Sequence, residues 1–386
     1  MTVTVRRVHL EAHFNIDTPI LNILSARASF GLDTRYAQAS FVTAYHPAWT
    51  HGDLVDIEMG AGTSNITRFV GYVREFQYSP NPFRLTTVCH GTLSIADEYE
   101  NSVDPNLMGG LEINDLLGSA TGTSSDIVQA VLTLAGVDFD PANIGGSATV
   151  YGSQADEAFI WSNGSNDQND IQEGGESALS YIERYDAIDA EYTPGVPDTG
   201  GRYRTFESLN GEIFRTRVSQ RPQFAEEFTL TEEVDILDGH FERSTAKQRT
   251  YFVVSGYDYG DGAGPVIATS PSSPPTPKRT YRFSSPMVER ESDAEPGDGM
   301  SCETLANALS LDWNMEVVEG WVLTHRDDAF GLAQGHLIDT PSHLPGRLGL
   351  AERLPVQSLE ITVDDNGFRQ RLGYRGGGAE TEVATR

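Results

Sequence analysis

The stretch GDLVDIEMG (52–60) sets Val55, Ile57 and Met59 on one side of an extended chain and Leu54, Asp56 and Glu58 on the other. That is the two-residue period of a strand with one buried face. After a glycine-rich turn at 60–65 comes RFVGYVREFQYS (68–79), and beyond the Pro-Asn-Pro stretch 80–82 comes RLTTVCHG (84–91). Proline lacks the N–H that a ladder needs, so 80–82 separates two strands. Upstream, Ala26, Ala28, Phe30 and Leu32 alternate with Ser25, Arg27, Ser29 and Gly31. Together these runs predict a small antiparallel sheet or barrel over residues 20–95.

The period then changes. Ile127, Val128, Val131, Leu132 and Ala135 fall on one face of a helix. Thr123 with Asp126 forms a capping box at its start, and Gly136 is placed to take the left-handed conformation at its end. LEINDLLGS (111–119) reads as a shorter helix before it, and ESALSYIERYD (176–186) puts Ala178, Leu179, Ile182 and Tyr185 on one face of another. Strand patterns return with RYRTFE (202–207), GEIFRTRV (211–218) and RTYFVVSGYDYG (249–260), the last apolar enough for the middle of a sheet. Five prolines in PVIATSPSSPPTPKR (265–279) favour extended, solvated backbone, so this piece reads as an excursion loop.

SCETLANALSLDW (301–313) predicts a helix with Leu305, Ala308 and Leu309 inward, followed by strands near 316–325 and 335–340. A hairpin closes the chain: Leu359, Ile361 and Val363 lead to Asp364-Asp365-Asn366-Gly367, and Phe368, Gln370, Leu372 and Tyr374 alternate back. The expected organisation is a first β domain at 1–98, an α-containing acidic domain at 99–198, and a second β domain at 199–386 carrying the Pro-rich loop 265–279. The fold class is mainly β with a helix-containing insertion.

Composition excludes several functions. Over 386 residues, 27 Lys and Arg stand against 56 Asp and Glu, a formal charge of −29. Partners that demand a basic face are disfavoured. No Lys or Arg occurs from Leu85 through Glu183, so phosphate-mediated nucleic-acid binding is not expected there. The only lysines are Lys247 and Lys278. A GC-rich genome would favour Arg over Lys, while life in molar salt would favour acids, whose repulsion is then screened within roughly 3 Å. The acid excess points to salt. Cys89 and Cys302 lie far apart without metal-ligand spacing and read as two buried thiols. No secretion signal and no membrane span are expected.

Catalytic motifs are equally sparse. GxxxxGK[ST] and GxSxG are absent, GSATG (118–122) misplaces its serine, and the nine histidines, with His9/His13 and His46/His51 closest, draw no HExxH or facial triad. Asp156, Glu157, Asp167, Asp170 and Glu173 offer oxygens to calcium but lack EF-hand spacing, and a solvated acidic loop explains them equally well. Pro274 to Arg279 fits a PxxPx[KR] peptide, a pattern common by chance in Pro-rich linkers. No catalytic residue, cofactor or metal is expected. Gly52, Gly71 and Gly367 are structural positions, expected to allow turns or close approach.

The order of these elements resembles the baseplate hub, or tail tip, proteins of tailed viruses, including the hub of contractile tails and the N-terminal part of siphophage tail-associated proteins. GDLVDIEMG (52–60) and FVGYV (69–73) are similar to the family's Gly-Asp, strand, turn, Phe-x-Gly-x-Val opening. HGTLSIADEYE (90–100), LTLAGV (132–137) and GESALSYIERY (175–185) are similar to its two helices ahead of a second barrel. RTYFVVSGYD (249–258) and NGFRQRLGYRGG (366–377) resemble that barrel's central strand and closing hairpin.

The resemblance implies two tube-like β-barrel domains per subunit and a homotrimer forming a pseudo-sixfold ring between a sixfold tail tube and a threefold tip. Implied partners are the distal tail ring, the end of the tape-measure protein, and tail fibres or a spike. Genome DNA would pass through the channel without specific binding. No needle, lysozyme or fibre module is expected after Gly377, so any cell-wall activity is expected on another protein. The expected location is the virion tail, assembled in the host cytoplasm, with a halophilic host favoured and a GC-rich bacterial host as alternative. A second class is a glycan-binding or glycan-hydrolysing β-protein, with Trp49, Trp161, Trp313 and Trp321 as stacking platforms; Trp313 and Trp321 also fit as core residues of the second β domain.

Overall fold

A computed structural model describes residues 9–15, 18–32, 34–44, 48–61, 67–80, 83–98, 121–146, 149–151, 177–188, 190–192, 200–217, 227–228, 230, 234–244, 248–256, 264–284, 301–313, 317–326, 337–339 and 353–377. The first strands are β1 (His9–Phe14), β2 (Thr18–Pro19), β3 (Ile23–Gly31), β4 (Gln38–Thr43), β5 (Leu54–Gly60), β6 (Thr67–Pro80) and β7 (Phe83–Gly91). They lie in the order β3-β4-β7-β6-β5-β1-β2, all antiparallel. On β5, Val55, Ile57 and Met59 are fully buried, a gain of roughly 1.5–3 kcal/mol for each side chain. The opposite face is less open than alternation predicts, because Asp56 is also buried and ion-paired to Arg68 of the neighbouring β6.

Gly71 of β6 stands opposite Val55 on one side and Gly91 on the other. A Cβ there would fall on the His90 carbonyl and lie 2.7 Å from the Phe69 ring edge. Gly71→Val is therefore expected to push β6 and β7 apart and to cost about 1–3 kcal/mol by overpacking. Chemical denaturation checks this, and an unchanged midpoint would contradict the strand placement. Gly52 and Gly367 sit in turns at φ +86° and +98° with open space around them, where a side chain costs backbone strain rather than a clash.

The middle of the chain contains α1 (Ser94–Glu98), β8 (Thr121–Thr123), α2 (Ser124–Leu134), β9 (Thr149–Tyr151), α3 (Ala178–Ile188), β10 (Ala190–Tyr192), β11 (Gly200–Glu207) and β12 (Ile213–Arg217). The expected capping box is present on α2: Thr123 Oγ1 accepts the Asp126 N–H at 3.2 Å, and Asp126 Oδ2 accepts the Thr123 N–H at 2.9 Å. Gly136 takes φ +74° after the helix. Ser177 caps α3, its Oγ accepting the Ser180 N–H at 3.1 Å, and the expected inward face Ala178, Leu179, Ile182 and Tyr185 is buried. The helix expected at 111–119 lies outside the described residues.

The last third comprises β13 (Glu227–Phe228), β14 (Ile236–Ser244), β15 (Tyr251–Ser255), β16 (Ile267–Ser270), β17 (Thr280–Ser284), α4 (Cys302–Trp313), β18 (Val317–Thr324), β19 (Leu337–Asp339), β20 (Arg353–Asp364) and β21 (Gly367–Gly377). β15 is central, as its apolar run predicts, in a three-stranded sheet β16-β15-β17. The Pro-rich stretch 265–279 is the expected solvated loop only in part: residues 271–278 are largely exposed and outside any strand, but the four residues before them are not. Ile267–Ser270 pairs with β15 as β16, burying Ala268 and Ser270. The following turn is tied back, with the Thr250 hydroxyl donating to Pro277 O at 2.8 Å and the Arg279 N–H donating to the Thr250 hydroxyl at 2.9 Å. Prolines occupy the turn, where no ladder N–H is needed, and β16 itself is proline-free.

The two ends of the chain share one sheet. β20 pairs antiparallel with β3 from Ser358 opposite Gly31 to Val363 opposite Ala26, giving the order β14-β18-β21-β20-β3-β4-β7-β6-β5-β1-β2, with β13 and β19 attached at β20. The mainly β fold with a small helical part is as expected, but the described strands form no closed barrel. The reason is hydrogen bonding: β3 spends its two edges on β4 and β20, so neither is left to close a ring with β1. The sheet still curls enough to bring β1 close to β3. One core fills this curl and mixes residues such as Phe30, Phe41 and Ile57 with Val356, Leu359 and Leu372. A second core gathers α2, α3 and α4 against β15.

Candidate functional site

Two buried polar connections hold the helical part to the sheets. Glu207, at the end of β11, is 2% exposed. Its Oε1 accepts the Thr92 N–H at 2.7 Å and the Thr92 hydroxyl at 3.0 Å, and its Oε2 accepts the Ala37 N–H at 3.2 Å. Gly91 makes the room, since a Cβ there would fall on the Glu207 carboxylate. Loss of water pushes this carboxyl up to about 7, against the pull of the Thr92, Ala37 and Leu93 N–H groups and the Thr92 hydroxyl.

The second connection is an ion pair with both members buried. Arg215 of β12 donates from Nε to Asp186 Oδ1 of α3 at 2.8 Å and from a terminal nitrogen to Gly145 O at 2.7 Å and Ser124 Oγ at 3.3 Å. The Thr205 N–H occupies the other Asp186 oxygen at 2.6 Å. The guanidinium also lies 4.4 Å from the centre of the Tyr203 ring. Every strong donor and acceptor here has a partner, which is the condition under which a buried pair is tolerated.

On the sheet's other face, a groove of about 670 Å³ crosses the seam where the two chain ends meet, over β3, β20, β21, β18 and β14. Gly31 and Gly373 leave its floor without side chains, and Glu319, Trp321, Glu360 and Arg371 rise around it. Register sets these walls: Trp321 stands opposite Gly373, and Glu360 opposite Arg371. Arg371 stacks over Trp321 at 4.3 Å, and Glu360 is paired with Arg27 at 2.5 Å. The groove thus presents an aromatic ring and paired charges.

Of the four tryptophans, Trp49 is no platform: it is 6% exposed, packs on Phe14 and Phe41, and donates its indole N–H to Thr87 Oγ1 at 3.1 Å. Trp321 is half-buried in the groove rather than in the core. Trp161 and the acidic group from Asp156 to Glu173 lie outside the described residues, and Trp313 ends α4. Cys89 and Cys302 are buried free thiols as expected, and burial pushes both up to about 12, far from the thiolate a nucleophile needs. In the PxxPx[KR] segment, Lys278 sits 4.6 Å from the Tyr251 ring centre. His9, Glu11 and Glu58 come together in a way that no sequence spacing announces.

No family model and no curated protein matches the sequence. Solved structures do. The chain is similar to the 43 kDa tail protein of prophage MuSo2 from Shewanella oneidensis at 11% identity and TM-score 0.56, over 97% of this chain and 99% of that one. It is similar to a tail protein from Neisseria meningitidis MC58 at 10% identity and TM-score 0.58, over 98% and 99%. A third similar structure is prophage tail protein gp18 from Listeria monocytogenes EGD-e, at 10% identity and TM-score 0.51, over 94% of each chain. At these identities the likeness is one of backbone rather than of side chains, and it runs nearly end to end: the chain has the fold of phage tail proteins.

Proposed function

We propose that this chain is a structural baseplate hub protein of a viral tail, a homotrimeric ring that joins a sixfold tail tube to a threefold tip and lines the channel through which DNA leaves. The observation that carries this reading is the end-to-end likeness to tail proteins, two of them from prophages, 94–98% of this chain against 94–99% of theirs. The charge supports it, because a subunit with a net charge of −29 repels phosphate more than it attracts it and so favours passage of DNA over retention. In this reading the partners are the distal tail ring, the tape-measure protein and tail fibres or a spike, and the protein works through packing and interfaces rather than chemistry. The test is mass by light scattering behind size exclusion in molar salt, followed by electron-microscope averages of the main peak. A trimer with a central channel is expected; a monomer without one counts against the ring.

The groove favours a second reading, glycan binding or hydrolysis, because Trp321 stands there with Glu319 and Glu360. Release of sugars from purified host envelope, lost in Glu319→Gln or Glu360→Gln, would support it. The acid excess further leads us to a halophilic host. Removing salt lengthens the range of self-repulsion from roughly 3 Å at 1 M to 30 Å at 0.01 M, so the melting temperature is expected to fall markedly between molar and dilute salt. An unchanged value would remove this inference.

A further inference from the structure

We propose that His9, Glu11 and Glu58 form a binding site for a divalent transition metal of the zinc class, clamping β1 onto β5. Along β1, Ala12 points into the core at 1% exposure, while His9 and Glu11, two residues apart, share the opposite face. The antiparallel register sets Glu11 directly across from Glu58 and His9 across from Gly60, which has no side chain to intervene. The ligand atoms of the three residues lie within 4.8 Å of one another, and His9 Nε2 is 3.1 Å from Glu58 Oε2.

Two features of this arrangement call for a cation. Like charges directly opposed across an antiparallel pair repel, and no Lys or Arg pairs with Glu11 among the described residues. Arg68 Nε is 3.7 Å from Glu58 Oε1, and Arg68 is also ion-paired to Asp56. One imidazole nitrogen with two carboxylate oxygens suits zinc, at about 2 Å from each donor, better than calcium, which prefers an all-oxygen shell of six to eight ligands. Three protein ligands leave a fourth position for water. β1 has reason to need a clamp, because its other edge is covered only by the two residues of β2.

The test is calorimetric titration of the full chain, stripped with a chelator, with zinc chloride. One saturable equivalent is expected, weakened more than about 10-fold in His9→Ala and in Glu11→Gln. His13→Ala, two residues further along β1 and outside the cluster, should bind as the unaltered chain does. Zinc should also raise the melting temperature of the unaltered chain but not of His9→Ala. Glu11 is exposed, so Glu11→Gln keeps the test open if His9→Ala fails to fold. No saturable binding, binding in His9→Ala and Glu11→Gln as tight as in the unaltered chain, or calcium binding as tightly as zinc would overturn the proposal.

Discussion

Arg215→Ala is expected to destabilise the chain by about 3–5 kcal/mol, the cost of leaving one member of a buried ion pair uncompensated. Asp186, at 2% exposure, would lose the guanidinium that faces it and keep its hydrogen bond from the Thr205 N–H, and the Gly145 carbonyl and the Tyr203 ring would lose their cation. The damage would not stay local, because the groups that Arg215 of β12 holds together come from α2, α3, the loop after α2 and β11. The double variant Arg215→Met, Asp186→Leu should cost less than Arg215→Ala, since no unpaired charge remains. Salt does not rescue the single variant, because a buried charge is screened far less than a surface one. Denaturation of the three proteins in molar salt checks both statements. A loss below about 1 kcal/mol for Arg215→Ala, the size expected of a surface pair, would refute them.

The second large effect is on pH dependence. Burial holds the Glu207 carboxyl near 7 in the folded chain, against an ordinary 4.5. Between those values the folded chain keeps a proton that the unfolded chain has released. This share of stability is therefore complete below pH 4.5, falls as pH rises through about 7, and amounts to roughly 3 kcal/mol. Surface carboxylates change with pH in the same interval, so the comparison that isolates Glu207 is with Glu207→Gln, which cannot ionise. Stability of the unaltered chain should fall more steeply between pH 5 and pH 8 than that of the variant. Parallel pH profiles would show that the carboxyl does not hold a proton in the folded state.

Much of the local structure could be read before any coordinates. The two-residue period of Val55, Ile57 and Met59 and of Leu359, Ile361 and Val363 became strands with those residues buried. Thr123, Asp126 and Gly136 marked both ends of α2. The Pro-rich stretch misled only at its start, because composition averages over a window. Four residues of it, Ile267–Ser270, are a proline-free strand that covers the edge of β15, and only the turn beyond them carries the closely spaced prolines. The groove was legible only as a lone Trp321, since its glycines and carboxylates come from strands far apart in the chain.

Sequence by itself determined the elements: where the period is two or near 3.6, which residues face inward, where caps and turns end a run, and how acidic the surface is. Each depends on neighbours a few residues away, so the chain states it directly. Only the tertiary structure decided that β20 lies beside β3, that Glu207 reaches the Thr92 and Ala37 N–H groups, that Arg215 meets Asp186, and that Glu11 faces Glu58. An alternating strand presents the same ladder to any partner, and its choice among partners is a sum of packing and desolvation over the whole core. Moving a pairing by one residue leaves the sequence pattern intact but turns every side chain to the other face.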